Sequence, residues 1–167
     1  MRIVFLAAGK SNRIYKKIKK NKCLLTVNNK PIIKTLINEA KNANIKKFTI
    51  VLGFNAKFLR KKLKNLKNID FLLNKKFETT EMLYSMILAI KKYNSDLIIS
   101  YSDILFDKQI LIKLLKSKKN NIMIPILRNW KKVWKIRNKD PLEDGETLLL
   151  DNKKNLKSIG EKIKQLK

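Results

Sequence analysis

The sequence predicts an α/β fold, a three-layer sandwich on a mainly parallel mixed sheet. Two observations point there: short runs rich in Val, Ile, Leu and Phe recur along the chain, and segments of helical period separate the first four of them. Parallel strands covered on both faces read as continuous apolar runs. Their alternation with helices argues for βαβ units, right-handed crossovers and helices on both faces of the sheet.

The strand candidates are Ile3 to Leu6, Phe48 to Leu52, Ile69 to Leu73, Leu97 to Tyr101, Ile122 to Leu127 and Thr147 to Leu150. Between the first four, Ile32, Ile33, Leu36, Ile37 and Ala40 form one helical face, Phe58, Leu59 and Leu63 a second, and Met82, Leu83, Met86, Ile87 and Ile90 a third. Ile110, Leu111, Leu114 and Leu115 give a fourth, after the fourth strand. Pro31 suits the first turn of its helix, where a missing N–H costs nothing. Asn28-Asn29 suits a tight turn, with Leu24 to Val27 as a short extended lead-in. Beyond Leu127 the regular alternation stops at Trp130, Trp134, Arg137, Pro141 and the acids Asp140, Glu143, Asp144 and Glu146.

The 167 residues read as a single domain, 1–167, and 44% apolar content excludes a disordered chain. A lone cysteine, Cys23, makes no internal disulfide, and the absence of histidine removes both the commonest zinc ligand and the usual general base near pH 7. The formal charge of +27 raises the question of nucleic acid, but it comes from 35 Lys against five Arg spread along the whole chain. Arg is the side chain expected where phosphates or base edges are read bidentately, so a lysine-rich coding composition is the simpler account and a nucleic-acid partner is not expected. The apolar run Ile3 to Ala8 is too short for a signal peptide, and nothing approaches a membrane span. A cytoplasmic protein is expected.

Ligands of open parallel sheets bind outside the carboxyl ends of the strands. Two features fall there: the loop Leu6-Ala7-Ala8-Gly9-Lys10-Ser11-Asn12-Arg13, and Asp103. Ala7 and Ala8 let a base and ribose approach the backbone, and Gly9 can turn successive N–H groups toward phosphate oxygens. Ser11 adds a donor; Arg13 and Lys22 supply the charge a triphosphate requires. An ordinary βα turn with a surface arginine remains the plain alternative. A carboxylate placed like Asp103 is a natural magnesium ligand when phosphates complete the coordination. Its other role is helix capping, for which Asp107 competes from a nearer position. Trp130 and Trp134, four apart, would share a helix face as walls for a cationic head group or as packed core. The acids from Asp140 to Glu146 would contact a substrate amine or cap a turn, and Tyr84 and Ser85 would lie near the nucleotide or on a helix surface.

Leu6-Ala7-Ala8-Gly9-x-Ser11-x-Arg13, then Lys22-Cys23-Leu24-Leu25 and Asn29-Lys30-Pro31-Ile32, resemble the LAAGxGxR…PKxLxxxxxKPL signature of sugar-phosphate and choline-phosphate nucleotidyltransferases. Thr79-Thr80-Glu81-Met82-Leu83-Tyr84-Ser85, the segment Ile98 to Ile104, and Trp130-x-x-x-Trp134-x-x-Arg137 with Asp140 to Thr147 resemble a narrower group. That group comprises the phosphocholine cytidylyltransferases and their relatives acting on aminoalkylphosphonates. The likeness runs from Arg2 to about Gly160.

It implies a Rossmann-like, nucleotide-diphospho-sugar transferase type of fold and CTP at Leu6, Ala7, Ala8, Gly9, Ser11, Arg13, Lys22, Glu81, Tyr84 and Ser85. It further implies catalysis by Arg13, Lys22 and Asp103 with Mg2+ on Asp103. Phosphocholine or an aminoethylphosphonate-like acceptor would sit at Trp130, Trp134, Arg137, Asp144 and Glu146. The implied reaction is attack by a phosphate or phosphonate oxygen on the α-phosphorus with release of pyrophosphate, which needs no histidine base. Asn21 stands where the family has proline, and Glu81 where asparagine is common. The family also continues beyond the equivalent of Gly160 with a substrate-side portion. The sequence therefore leaves room for a weakened enzyme, a chain completed by another subunit such as a homo-oligomer, a sugar-phosphate transferase, or a non-catalytic nucleotide-binding remnant.

Overall fold

The computed structural model describes residues 1–10, 15–17, 19–117, 122–137, 139–140, 142 and 145–162. The contacts of the chain group it into two compact units, Met1–Asn121 and Ile122–Lys167.

In the first unit, β1 (Arg2–Ala7), β4 (Lys47–Leu52), β5 (Ile69–Leu73) and β6 (Leu97–Tyr101) form a parallel sheet in the order β5-β4-β1-β6. Successive strands run outward from β1 through β4 to β5, and the chain then crosses back to place β6 on the other side of β1. The order reverses there, so the carboxyl ends of β1 and β6 flank the switch point. β2 (Thr26–Val27) and β3 (Lys30–Pro31) make a short antiparallel ladder, turned by Asn28 and Asn29 with φ of 49° and 60°. Asparagine tolerates this left-handed region, which the two-residue turn demands at both positions. Of the expected lead-in, Leu25 is extended and Thr26–Val27 pairs as β2, while Leu24 belongs to the 3-10 turn Lys22–Leu24.

The strands alternate between two apolar layers, as a period of two requires. Ile3, Phe5, Phe48, Ile50, Leu52 and Ile98 pack with α1 (Ile32–Asn42), α2 (Ala56–Leu63) and α4 (Lys108–Lys116). Val4, Ala8, Val51 and Ala89 of α3 (Met82–Lys92) form the layer on the opposite face. The result is the expected α/β nucleotidyltransferase-type sandwich. Three helical faces need correction: in α4, Ile110 of the expected face is exposed while Leu111 is buried. In α2, Leu59 and Leu63 are buried but Phe58 is 47% exposed, and α3 buries Ser85 and Ala89 while leaving Met82, Leu83 and Ile90 exposed. Small residues let α3 approach the sheet closely, so its inward face is set by size rather than hydrophobicity.

The second unit holds α5 (Trp130–Arg137) and an antiparallel pair, β7 (Glu146–Leu150) with β8 (Leu156–Lys162). Asp151 organises the connecting turn by accepting from the backbone N–H groups of Lys153 and Asn155 and from Asn155 Nδ2. The run Ile122 to Leu127, expected as a strand, is irregular, and Ile122, Ile124, Ile126 and Leu127 are exposed. An apolar run becomes a strand only where a neighbour takes its backbone groups, and no described segment does so. No described helix is long and apolar enough to cross a membrane.

Candidate active site

A cleft of about 470 Å³ opens at the carboxyl ends of β1 and β6. Its floor is Leu6, Ala7, Ala8 and Gly9, where β1 ends. A side-chain carbon built on Gly9 would meet nothing within 4 Å, so the backbone there faces open space and a ligand can reach it. Gly53 explains why the floor holds its place. A Cβ at that position would lie 2.6 Å from the Ala8 carbonyl oxygen, and Phe54 N donates to the same oxygen at 2.9 Å. The tip of β4 is therefore stitched against the end of β1.

One wall carries an ion pair. Lys22 Nζ lies 3.2 Å from Asp103 Oδ2, with 35% and 29% of the two side chains exposed. A pair so accessible adds at most about 1 kcal/mol to folding. Its consequence is local: a cation and a carboxylate meet on the lining of the cleft. Asp107, in contrast, caps α4 by accepting from Gln109 N at 2.7 Å, which leaves Asp103 free of that duty. No three His, Cys, Asp or Glu side chains converge among the described residues. That donor set fits magnesium, which is commonly held by one or two carboxylates together with substrate phosphates and water.

Beside Lys22, burial pushes the Cys23 thiol up to about 12, a backbone hydrogen bond opposes the rise, and Asp103 adds to it. Such a thiol is a packing residue, not a nucleophile. Asn21 is 5% exposed; its Nδ2 donates to Phe54 O at 3.5 Å, while Oδ1 is buried without a partner among the described residues. The facing wall comes from the segment after β5 and the start of α3, with Asn74, Phe77, Glu78, Thr80, Glu81, Met82 and Ser85. Asn74 holds this wall together. Its Nδ2 donates to Ser85 Oγ at 3.0 Å and Thr80 Oγ1 at 3.3 Å, its Oδ1 accepts from Lys76 N, and its own N donates to Leu52 O.

Of the residues expected at the nucleotide, Leu6, Ala7, Ala8, Gly9, Lys22, Glu81, Ser85 and Asp103 line this one cleft. Tyr84 is not among the lining residues, although it precedes Ser85 in the first turn of α3. Ser11 and Arg13 lie outside the described residues, as does Asp144. Trp130, Trp134, Arg137 and Glu146 belong to the second unit. There the two indoles are on one face of α5 and meet edge to face, centroids 6.5 Å apart at 79°.

The MobA-like NTP transferase domain family matches residues 3–163. The chain belongs to this family. It is 32% identical over 159 residues to the CTP:phosphoglutamine cytidylyltransferase of Campylobacter jejuni, an alignment covering 91% of this chain and 62% of that protein. The chain thus spans somewhat less than two thirds of the length of this relative. Among solved structures it is similar to a putative glucose-1-phosphate thymidylyltransferase from Bacillus anthracis, with a TM-score of 0.71, 18% identity, and coverage of 99% of this chain and 65% of that one. The CTP:phosphocholine cytidylyltransferase of Streptococcus pneumoniae is also similar, with a TM-score of 0.54, 23% identity, and coverage of 65% and 49% respectively. At such identities the two structures speak for the fold alone.

Asn74, Phe77 and Glu78 line this NTP transferase cleft and Gly53 supports it, all outside the segments the sequence singled out, while Lys10, Asn21, Cys23, Thr80, Met82, Tyr101 and Ser102 also line it and stand within or beside the quoted motifs without having been given a role at the site. Asn74 had a usable signal, since it directly follows a strand at the ligand-binding end of the sheet. Gly53 had none, because its importance lies in a contact with a residue 45 positions away in sequence.

Proposed function

We propose that this chain transfers CMP from CTP to a phosphorylated or phosphonate small molecule and releases pyrophosphate. The observation that carries the reading is the Lys22–Asp103 pair at 3.2 Å in the same cleft as the open backbone of Ala7, Ala8 and Gly9. The likeness to a phosphoglutamine cytidylyltransferase supports cytidine as the transferred nucleoside. Phosphoglutamine, phosphocholine and aminoethylphosphonate are the acceptors to test, and all three carry an amino or ammonium group. Trp130, Trp134, Arg137, Asp144 and Glu146 are the residues the sequence offers for holding that end.

The reaction needs little from the protein beyond position and charge. An acceptor phosphate is largely ionised near pH 7, so its oxygen attacks the α-phosphorus without a general base. The new O–P bond forms as the bond to the β-phosphate oxygen breaks, and pyrophosphate leaves with the electron pair. Lys22, with Arg13 as the further cation, neutralises charge on the phosphates. A magnesium ion at Asp103 would add Lewis-acid stabilisation of the same oxygens. The backbone at Ala7 to Gly9 and the Asn74-supported wall hold the nucleotide in line.

Pyrophosphate release from CTP with magnesium and each acceptor tests the proposal, with Asp103→Ala expected to lose at least about a hundredfold in rate. Turnover with a hexose 1-phosphate and none of these acceptors would make it a sugar-phosphate transferase. CTP binding without any turnover would make it a nucleotide-binding remnant.

A further inference from the structure

Apart from Asp103, which pairs with Lys22, the charges of the cleft are segregated. Lys10 and Lys22 come from the segments after β1, whereas Glu78 and Glu81 come from the segment leading into α3. Glu81 occupies the cap position of α3, yet its carboxylate caps no backbone N–H. Among the described residues, neither glutamate side chain has a hydrogen bond or ion pair. A triphosphate is drawn to the lysines and repelled by the carboxylates, so a nucleotide lying across the cleft presents its base to the glutamate wall.

Ser85 lies in the first turn of α3, four residues after the cap residue Glu81, and both line the cleft. Ser85 is 3% exposed, and its Oγ accepts from Asn74 Nδ2 at 3.0 Å. Its own hydroxyl hydrogen remains to be donated. Asn74 itself is occupied, since its amide hydrogens serve Thr80 and Ser85. The wall thus offers a group that can only accept, Glu81, one helical turn from a donor, Ser85. Cytosine is the pyrimidine that matches, because its 4-amino group donates while N3 and O2 accept. Uracil reverses the first two positions and would set its O4 against a carboxylate oxygen with no proton between them.

We propose that Glu81 selects the base, its carboxylate accepting from the cytosine 4-amino group while Ser85 donates to the acceptor edge of the ring. Glu81 rather than Glu78 has this role because it caps α3 directly ahead of the turn that holds Ser85. The inference rests on the CTP reading above and names the residue that enforces it.

The test is displacement of a ribose-labelled fluorescent CTP by unlabelled CTP and UTP, for the wild type and Glu81→Gln, with kcat/KM for both triphosphates alongside. Glu81 is exposed and its side chain makes no hydrogen bond among the described residues, so the variant should fold normally. A glutamine amide accepts through one end and donates through the other, so the CTP-over-UTP preference should fall about tenfold, chiefly by admission of UTP. Glu81→Ala should weaken CTP without improving UTP. An unchanged ratio in Glu81→Gln, with CTP still bound, overturns the role of Glu81 and leaves the CTP reading standing. So does a rise confined to the KM of the acceptor, which would give Glu81 to the acceptor's amino group, and so does a shift produced by Glu78→Gln but not by Glu81→Gln. A wild type that binds CTP and UTP equally overturns both readings.

Discussion

A methyl group at Gly53 would meet the Ala8 carbonyl oxygen and Phe77 Cβ, each at 2.6 Å, and neither is the far end of a flexible side chain. Gly53→Ala therefore forces the tips of β1 and β4 apart, and we expect a loss of about 1–3 kcal/mol in urea unfolding together with weaker triphosphate binding. Wild-type values for both would show that the two tips can part freely. Cys23 gives a prediction in pH. Its thiol moves from an ordinary 9.0 in the unfolded chain to about 12 in the fold. Above pH 9 the unfolded state has lost this proton while the native state keeps it, so the contribution to stability is whole below pH 9 and drains away as pH rises toward 12. Wild-type stability should fall relative to Cys23→Ala by up to about 1.4 kcal/mol per pH unit in that window, as read from urea midpoints at pH 8, 9 and 10. At this scale the sequence disclosed residues whose meaning follows from place along a strand, such as Ala7, Ala8 and Asp103. It concealed Gly53 and Asn74, whose meaning depends on what the fold brings beside them.

Asp103 and Asp107 are four residues apart and do different work, which separates a site from an element. Asp107 accepts from Gln109 N at the start of α4, and Glu39 of α1 accepts from Lys108 N at 2.8 Å, so two carboxylates secure the first turn of that helix. Asp107→Ala should cost about 1 kcal/mol in thermal or urea unfolding and leave CTP affinity unchanged. Asp103→Ala should do the reverse, because its ion pair with Lys22 is substantially exposed and worth little to the fold. A loss of stability in Asp103→Ala equal to that in Asp107→Ala would assign both to structure. The elements themselves were the most legible part of the chain. The runs Ile69 to Leu73 and Leu97 to Tyr101 are β5 and β6 to the residue, and β1 and β4 extend the expected runs by one or two positions. β1 and β4, central in the sheet, are buried almost throughout, which their nearly unbroken hydrophobicity announces, whereas the edge strands β5 and β6 leave Asp70, Leu73 and Tyr101 exposed. β8, Leu-Lys-Ser-Ile-Gly-Glu-Lys, is strand by pairing with β7 alone, and nothing in its own composition announces it.

The charge of +27 acts on the molecule as a whole, and in two opposed directions. Forty cations against 13 anions repel one another more strongly in the compact state than in an expanded chain, so screening should favour folding. The same excess attracts a triphosphate to the cleft, so screening should weaken binding. The Debye length shrinks from about 30 Å at 0.01 M salt to about 10 Å at 0.1 M, a range that spans the distances between lysines across the surface. The urea midpoint should therefore rise with NaCl over this interval while the dissociation constant for CTP rises severalfold. If both were flat, the lysines would be acting only as local solubilising groups, and the attraction of CTP would rest on Lys22 and its immediate neighbours. Because every residue lining the cleft falls between Leu6 and Asp103, the contrast is best read on two variants of equal net charge. Lys22→Gln removes a cation from the cleft, and Lys61→Gln removes one from the last turn of α2. Both should shift the salt dependence of folding alike, while Lys22→Gln alone should raise the dissociation constant by an order of magnitude or more at every salt concentration.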